Sequence, residues 1–136
     1  MHDKTLKILV VDDFSLMRRV VRKLLNELGY ANVDEADSTS AALLKIKNEN
    51  IGFVISDWES SDINSDEMLR FIRSDSQLKH LPVLMFASPA KRAHIHAAAS
   101  AWDCGWMVKP FTSRTLDKHL SLTSLNTRIA VQTGFV

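Results

Sequence analysis

The sequence predicts an α/β fold in which helices cover both faces of a parallel β-sheet. Short apolar runs, typical of buried strands, alternate with longer segments whose apolar residues recur every three or four positions, as in amphipathic helices. Strands that alternate with helices are joined by crossovers and therefore lie parallel. The length of 136 residues fits one such domain.

The first strand and helix set the pattern. Residues 6–11 form an apolar, β-branched run broken only by Lys7, as expected of a strand buried on both faces. From Ser15 the apolar residues recur at helical spacing, and Gly29 follows as a C-terminal cap. The acidic residues Asp12 and Asp13 separate the two elements.

The rest of the chain repeats this alternation. We expect further strands near 32–36, 53–56, 82–86 and 105–108, and helices near 39–47, 66–73, 91–100 and 113–122. The prediction is therefore a doubly wound sheet of five strands with five helices, forming one domain over residues 1–122. Residues 123–136 lack clear periodicity, and this tail either extends the last helix, packs loosely or is disordered.

Composition and charge exclude several classes of partner. The 17 Lys and Arg nearly balance the 16 Asp and Glu, so bulk charge gives no reason to expect binding to nucleic acid or to a membrane. The apolar run after the polar N-terminus is too short for a signal peptide or a membrane span. The single cysteine, Cys104, cannot form an intramolecular disulfide. We expect a cytoplasmic monomer.

Charged residues follow three of the predicted strands. Asp12 and Asp13 follow the first, Asp57 ends the third and Lys109 follows the fifth. In an open parallel sheet, ligands bind beyond the carboxyl ends of the strands. If the first and third strands are neighbours, as in the flavodoxin-like order 2-1-3-4-5 that we predict, the three carboxylates converge on one pocket.

Such a pocket suits a cation and phosphoryl transfer. Neighbouring carboxylates raise one another's pKa unless a cation is present, and Mg²⁺ accepts carboxylates while keeping waters. A carboxylate can attack phosphorus, assisted by the metal and a lysine. We predict Asp57 as the phosphoacceptor, Asp12 and Asp13 as metal ligands, and Lys109 beside the phosphoryl group. Two adjacent acids alone would more simply form a polar loop at a helix N-terminus.

The segments around these residues resemble the chemotaxis response-regulator receivers of the CheY type. The resemblance covers about residues 3–120 and is carried by LVVDDFS at 9–15, GFVISDW at 52–58, LPVLM at 81–85 and VKPFT at 108–112. It implies that a CheA-like sensor histidine kinase phosphorylates Asp57 and that the backbone carbonyl of Glu59 also binds Mg²⁺. It further implies a cis bond between Lys109 and Pro110.

The resemblance also implies a signalling surface on the fourth helix, last strand and last helix. In the family this face binds the flagellar motor switch protein FliM. The matching positions here are Ala90, Lys91, Ile95, Ala99, Trp106, Val108, Phe111, Thr112 and Leu116. For Ile95, Val108 and Leu116, packing in the core is at least as good an interpretation.

Three positions of the family's switch and metal site differ here. The family has Thr or Ser where this chain has Ala87, and an extended backbone would point the next side chain, Ser88, to the opposite face. Trp106 replaces the usual Tyr, either as a moving switch or as a fixed half-buried aromatic residue. Glu59 replaces a more usual neutral residue. We hypothesise that metal binding is intact while phosphorylation, or its transmission to the motor face, is weakened.

Other functions remain as alternatives. A switch-impaired receiver would act as a phosphate sink or as a phosphorylation-independent interaction module. A haloacid-dehalogenase-like phosphatase expects Asp-x-Asp, which Asp12-Asp13-Phe14 does not match. A flavodoxin-like cofactor binder needs Gly or hydroxyl residues after the first strand, where Phe14 and Met17 stand. We expect a signalling protein that promotes only its own phosphorylation and dephosphorylation, and not an enzyme.

Overall fold

The computed structural model describes residues 3–58 and 61–133, with side chains described as far as Thr123. In these residues five strands alternate with five helices, as predicted. The strands are β1 (Ile8–Val11), β2 (Val33–Ala36), β3 (Phe53–Asp57), β4 (Val83–Ala87) and β5 (Gly105–Val108). The helices are α1 (Ser15–Glu27), α2 (Thr39–Asn48), α3 (Ser65–Ser74), α4 (Arg92–Trp102), which a 3₁₀ turn at Pro89–Lys91 precedes, and α5 (Ser113–Thr133).

The strands form one parallel sheet in the order β2-β1-β3-β4-β5. This confirms the predicted flavodoxin-like order and the adjacency of β1 and β3. Val11 lies opposite Ser56, so Asp12 and Asp57 come next at the same edge of the sheet. On the other side, Asp57 lies opposite Phe86, and Ala87 lies opposite Val108. The ends of β1, β3, β4 and β5 therefore surround one region.

Alternate residues of the strands pack into two separate cores. Leu9 and Val11 point into a core with apolar residues of α2, α3 and α4, whereas Ile8 and Val10 point into one with residues of α1 and α5. Because both faces of the strands are buried, the strands read as continuous apolar runs. The two cores confirm that the sheet is doubly wound.

Local chemistry defines several helix ends. Gly29 follows α1 with a φ of 97°, a left-handed conformation that favours glycine. Ser38 and Asn64 cap α2 and α3, because their side chains accept hydrogen bonds from the N–H groups of Ala41 and Glu67. These two caps lie beside the carboxyl edge of the sheet and fix where the preceding loops end and the helices begin.

The last helix is longer than the periodicity predicted. It continues without a break from Ser113 to Thr133, so the alternative that the tail extends this helix agrees with the structure. The division of the chain at Leu122 stays a prediction. None of the helices in the described residues is both long and apolar enough to span a bilayer.

Arg73 stabilises the edge of the sheet at which β4 and β5 begin, opposite the edge that carries Asp12 and Asp57. Its guanidinium donates hydrogen bonds to the backbone carbonyls of Lys79, Leu81, Trp102 and Asp103. Burial lowers the pKa of Arg73. One side chain of α3 thus holds the segment before β4 and the turn before β5, which supports the placement of both strands.

Candidate functional site

Two buried carboxylates lie at the carboxyl edge of the sheet. Asp57 is the last residue of β3 and is 6% exposed, and Asp12 follows β1 and is 1% exposed. The backbone N–H of Asp12 donates to the carbonyl of Ala36, which extends the pairing of β1 with β2. Because the backbone places both residues, their carboxylates remain in this apolar region despite the cost of burying charge.

The electrostatics of this pair favour a bound cation. Burial, followed by the charge of Asp57, raises the pKa of Asp12 to about 6, against the effects of the Phe14 N–H and of Lys109. Asp12 Oδ1 accepts a hydrogen bond from Phe14 N at 3.0 Å. Asp12 Oδ2 is buried and accepts no hydrogen bond from the described residues. An uncompensated carboxylate oxygen beside a second carboxylate is the environment that a divalent cation neutralises.

Lys109 supplies positive charge from the end of β5. Its Nζ lies 4.0 Å from Asp57 Oδ2 and 5.5 Å from the centre of the Phe86 ring. Its backbone N–H donates to the carbonyl of Ala87 at 2.8 Å, and the following bond to Pro110 is cis, as expected. The lysine therefore approaches the carboxylate along the end of β4.

Asp13 is held by a neighbouring loop. Its Oδ2 accepts hydrogen bonds from Ser61 Oγ at 3.0 Å and from Asp62 N at 3.4 Å. Within the side chains described, no group of three or more His, Cys, Asp or Glu residues is arranged to hold a metal ion. The binding of Mg²⁺ by Asp12, Asp13 and Asp57 together stays a prediction. Mg²⁺ keeps waters and needs only one or two protein carboxylates, so Asp12 and Asp57 still fit it.

The comparisons with known proteins agree with this geometry. Residues 8–121 match the family described as the response regulator receiver domain. The chain belongs to this family. It is 48% identical over 118 residues to chemotaxis protein CheY-3 of Vibrio cholerae, covering 87% of this chain and 91% of that one. It is 44% identical over 115 residues to chemotaxis protein CheY of Pseudomonas aeruginosa, covering 85% and 93%.

Solved structures show the same architecture. The structure of chemotaxis response regulator CheY4 of Vibrio cholerae superposes with a TM-score of 0.77 at 31% identity, covering 88% of this chain and 98% of that one. This receiver domain is therefore CheY-like in sequence and in fold. The family is a class of two-component signalling proteins, and the resemblance inferred from the sequence motifs is confirmed.

Arg18 supports the acid pocket of the receiver domain and was not predicted to do so. Its Nη1 donates to the backbone carbonyl of Asp12 at 2.7 Å, and its Nε pairs with Glu35 at 2.8 Å. Arg22 pairs with the other oxygen of Glu35 at 2.8 Å. Although burial raises the pKa of Glu35, these two hydrogen bonds lower it overall. Arg18 of α1 therefore joins the turn after β1 to the edge strand β2.

The switch positions of the receiver domain combine a missing hydroxyl with a held aromatic ring. Ala87 is fully buried at the end of β4, and Ser88 has the extended backbone that we predicted. Trp106 is half-buried, with the His96 ring 5.3 Å away at 32° and the Arg92 guanidinium 5.9 Å from its centre. Two residues of α4 therefore contact the Trp106 ring, an arrangement that fits the fixed aromatic interpretation.

The predicted partner surface divides into buried and accessible residues. Ile95, Ala99 and Leu116 are buried and lie in the two cores. They cannot contact a partner directly in this structure, and core packing, which we gave as the alternative for Ile95 and Leu116, is confirmed for both. The accessible positions are Ala90, Lys91, Trp106, Val108, Phe111 and Thr112. Trp106 and Val108 line a groove of about 520 Å³ between β5 and the flanking helices.

Glu59, the predicted source of a metal-binding carbonyl, lies outside the described residues. The residues that sequence reasoning missed are Ser61, which contacts Asp13, and Arg18. Ser61 stands in a loop with no distinctive spacing, so no pattern in the sequence points to it. Arg18 is one of several basic residues on α1, and only the fold distinguishes the one that reaches Asp12.

Proposed function

We propose that this receiver domain accepts a phosphoryl group on Asp57 and works in a chemotaxis pathway. The observation that carries the proposal is the pairing of two buried carboxylates, Asp12 and Asp57, with the ammonium group of Lys109 at 4.0 Å from Asp57. A buried acid with a raised pKa, here Asp12, beside a second acid and a nearby cation is typical of a functional site.

Each of the charged residues of this site has a separate chemical role in the proposed phosphorylation. An oxygen of Asp57 attacks the phosphorus of the donor, a new O–P bond forms, and the bond from phosphorus to the leaving group breaks. Lys109 offsets negative charge on the transferring oxygens, because its ammonium group already lies beside the carboxylate. We assign Asp12, Asp13, Asp57 and the carbonyl of Glu59 to a Mg²⁺ ion, which when bound neutralises charge on the carboxylates and the phosphoryl group.

The names of the relatives, which are chemotaxis proteins, support our proposal for the partners. We assign a CheA-like sensor histidine kinase as the phosphodonor and the flagellar motor switch protein FliM as the output partner, in the cytoplasm and with this protein as a monomer. The accessible residues around Trp106 form the surface for FliM. Apart from its own phosphorylation and dephosphorylation, the protein has no catalytic role.

A second function is favoured by one specific observation. Ala87 at the end of β4 is fully buried and offers no hydroxyl to a phosphoryl group on Asp57. A receiver without this hydrogen bond would accept the phosphoryl group but transmit it weakly, and would serve as a phosphate sink or as a phosphorylation-independent interaction module.

Incubation with acetyl phosphate and Mg²⁺, followed by mass spectrometry of the intact protein, tests the phosphoacceptor proposal. We expect the addition of one phosphoryl group to the unmodified protein and none to Asp57→Asn. Asp37→Asn is a matched control, because Asp37 is an exposed acid that follows the neighbouring strand β2. Equal modification of Asp57→Asn, or no modification of the unmodified protein, would refute the proposal.

A further inference from the structure

The loop at residues 61–64 joins the acid pocket to the start of α2. On the side of the pocket, Ser61 Oγ and Asp62 N both approach Asp13 Oδ2, at 3.0 and 3.4 Å. Two donors at one oxygen restrict rotation of the Asp13 carboxylate about its last side-chain bond. The loop that follows the phosphoacceptor strand thus sets the orientation of an acid that follows β1.

Thr39, the first residue of α2, holds the other side of this loop. Its Oγ1 accepts a hydrogen bond from Asn64 N at 2.6 Å, and its own N–H donates to the carbonyl of Asp62 at 3.2 Å. Thr39 is 8% exposed, so these bonds are largely shielded from water. The loop cannot shift relative to α2 without losing both bonds.

Ile63 adds a hydrophobic anchor between these contacts. Its side chain is 5% exposed and packs in the core formed with α2, α3 and α4. The backbone on either side of Ile63 carries the bonds to Thr39. The position of Ser61 is therefore determined by packing and hydrogen bonding within the protein.

We propose that Ser61 and Thr39 are positioning residues for the Mg²⁺ site, Ser61 by orienting the Asp13 carboxylate and Thr39 by holding the loop that carries Ser61. This inference rests on the proposed function, since it assigns Asp13 to the metal. Hydrogen bonds to a ligating side chain fix its orientation, and their loss typically lowers metal affinity about 10- to 100-fold. A loop already in place also spares the entropy of ordering it when the metal binds.

Isothermal titration with Mg²⁺ alone measures this effect without any phosphodonor. We expect Ser61→Ala and Thr39→Val each to weaken Mg²⁺ binding about 10-fold. The double variant should fall short of the sum of the two losses, because both act through the same contact. Ser61→Thr and Thr39→Ser keep the hydroxyl groups and should bind Mg²⁺ as the unmodified protein does.

Ser38→Ala is the matched control for Thr39→Val. It removes the side-chain cap of α2, which accepts from Ala41 N at 3.1 Å, and leaves the bonds from Thr39 to the loop in place. We expect it to lower the melting temperature with no change in Mg²⁺ affinity. If Ser38→Ala weakens Mg²⁺ binding as much as Thr39→Val does, or if Thr39→Ser fails to restore it, the role of Thr39 is refuted.

The outcome for Ser61 separates this inference from the proposed function. If the unmodified protein binds Mg²⁺ and Ser61→Ala binds it equally or more tightly, the positioning role is overturned while the phosphoacceptor proposal stands. If the unmodified protein binds no Mg²⁺, both are wrong. Ser61 is exposed, so its substitution leaves the core intact.

Discussion

The acid pocket at the ends of β1 and β3 and the edge formed by β4 and β5 differ in how much of the family's chemistry they keep. The pocket has two buried acids, a third acid held by a loop, and a lysine beside Asp57. The β4–β5 edge has Ala87 without a hydroxyl, and a Trp106 ring that two residues of α4, Arg92 and His96, contact. The residues that we propose accept a phosphoryl group and those that we propose report it are thus separate sets, and a chain can keep one while changing the other.

The largest expected effect tests the acid pocket through Lys109. Lys109→Met removes the ammonium group 4.0 Å from Asp57 and should slow phosphorylation by acetyl phosphate about 100-fold, because charge on the transferring oxygens is no longer offset. The rate can be followed by mass spectrometry of the intact protein. Lys118→Met, which removes an exposed cation of α5, should leave the rate unchanged. A similar rate in Lys109→Met would contradict the role of Lys109.

A second prediction tests the burial of charge in the pocket through pH. The pKa of Asp12 is raised to about 6 in the folded protein from the ordinary 3.8, so the folded state binds this proton more tightly than the unfolded state does. Its contribution to stability is therefore greatest below about pH 4 and is lost as the pH rises through about 6, on the order of 1–3 kcal/mol.

Urea unfolding in EDTA between pH 4 and 7 measures this contribution. Ion-paired acids such as Asp34 and Glu35, whose pKa values are lowered, give the opposite slope, so the comparison must be made between variants. Asp12→Asn should lose the decline between pH 4 and 6 and should exceed the unmodified protein in stability at pH 7. Identical profiles of unfolding free energy against pH for Asp12→Asn and the unmodified protein would show that the surroundings of Asp12 do not destabilise its ionised carboxylate.

A third prediction tests whether the changed edge can be restored. Ala87→Thr and Ala87→Val both add bulk at a fully buried position, at a cost of about 1–3 kcal/mol each, but only Thr adds a hydroxyl. With Mg²⁺ and beryllofluoride, a phosphoryl mimic, Ala87→Thr should raise the affinity for a FliM peptide roughly twofold to tenfold, and Ala87→Val should not. Equal responses of the two variants would show that the missing hydroxyl does not limit transmission.

The smallest expected effect concerns the ring contact on Trp106. A double-mutant cycle with His96→Ala and Trp106→Leu should give a coupling of about 0.5 kcal/mol in the free energy of unfolding, because the two rings lie 5.3 Å apart on the surface. The control is the pair Lys118→Ala and Trp106→Leu, which should show no coupling. Ala97→Gly would be an unsuitable control, because it alters helix propensity. A coupling of zero between His96 and Trp106 would show that the contact between the two rings does not stabilise the fold.

The order of the fold and the place of the acids could be predicted because strand ends are marked by abrupt changes in the sequence. Asp57 ends an apolar run, and the parallel order then brings it beside Asp12. The polar strand β2 was harder to recognise, because Asp34 and Glu35 pair with Lys45, Arg18 and Arg22, and only the fold brings those partners together.

Other parts of the site depend on tertiary contacts that no local pattern encodes. The engagement of Asp13 by Ser61 spans 48 positions in sequence and requires the loop geometry set by Thr39 and Ile63. Likewise, Ile95 and Leu116 have the same apolar character whether they face a partner or the core, and burial alone decides between the two. The family resemblance supplied the positions of the partner surface, and the structure sorted them by exposure.

The separation between an intact acid pocket and an altered β4–β5 edge can be measured directly by nuclear magnetic resonance of the indole N–H groups. The chain has three tryptophans, of which Trp58 directly follows Asp57 and Trp106 lies in β5. On addition of Mg²⁺ and beryllofluoride, we predict a saturable shift of the Trp58 resonance, absent in Asp57→Asn, while the Trp106 resonance stays in place. A Trp106 shift that follows the Trp58 shift at every step of the titration would contradict the separation.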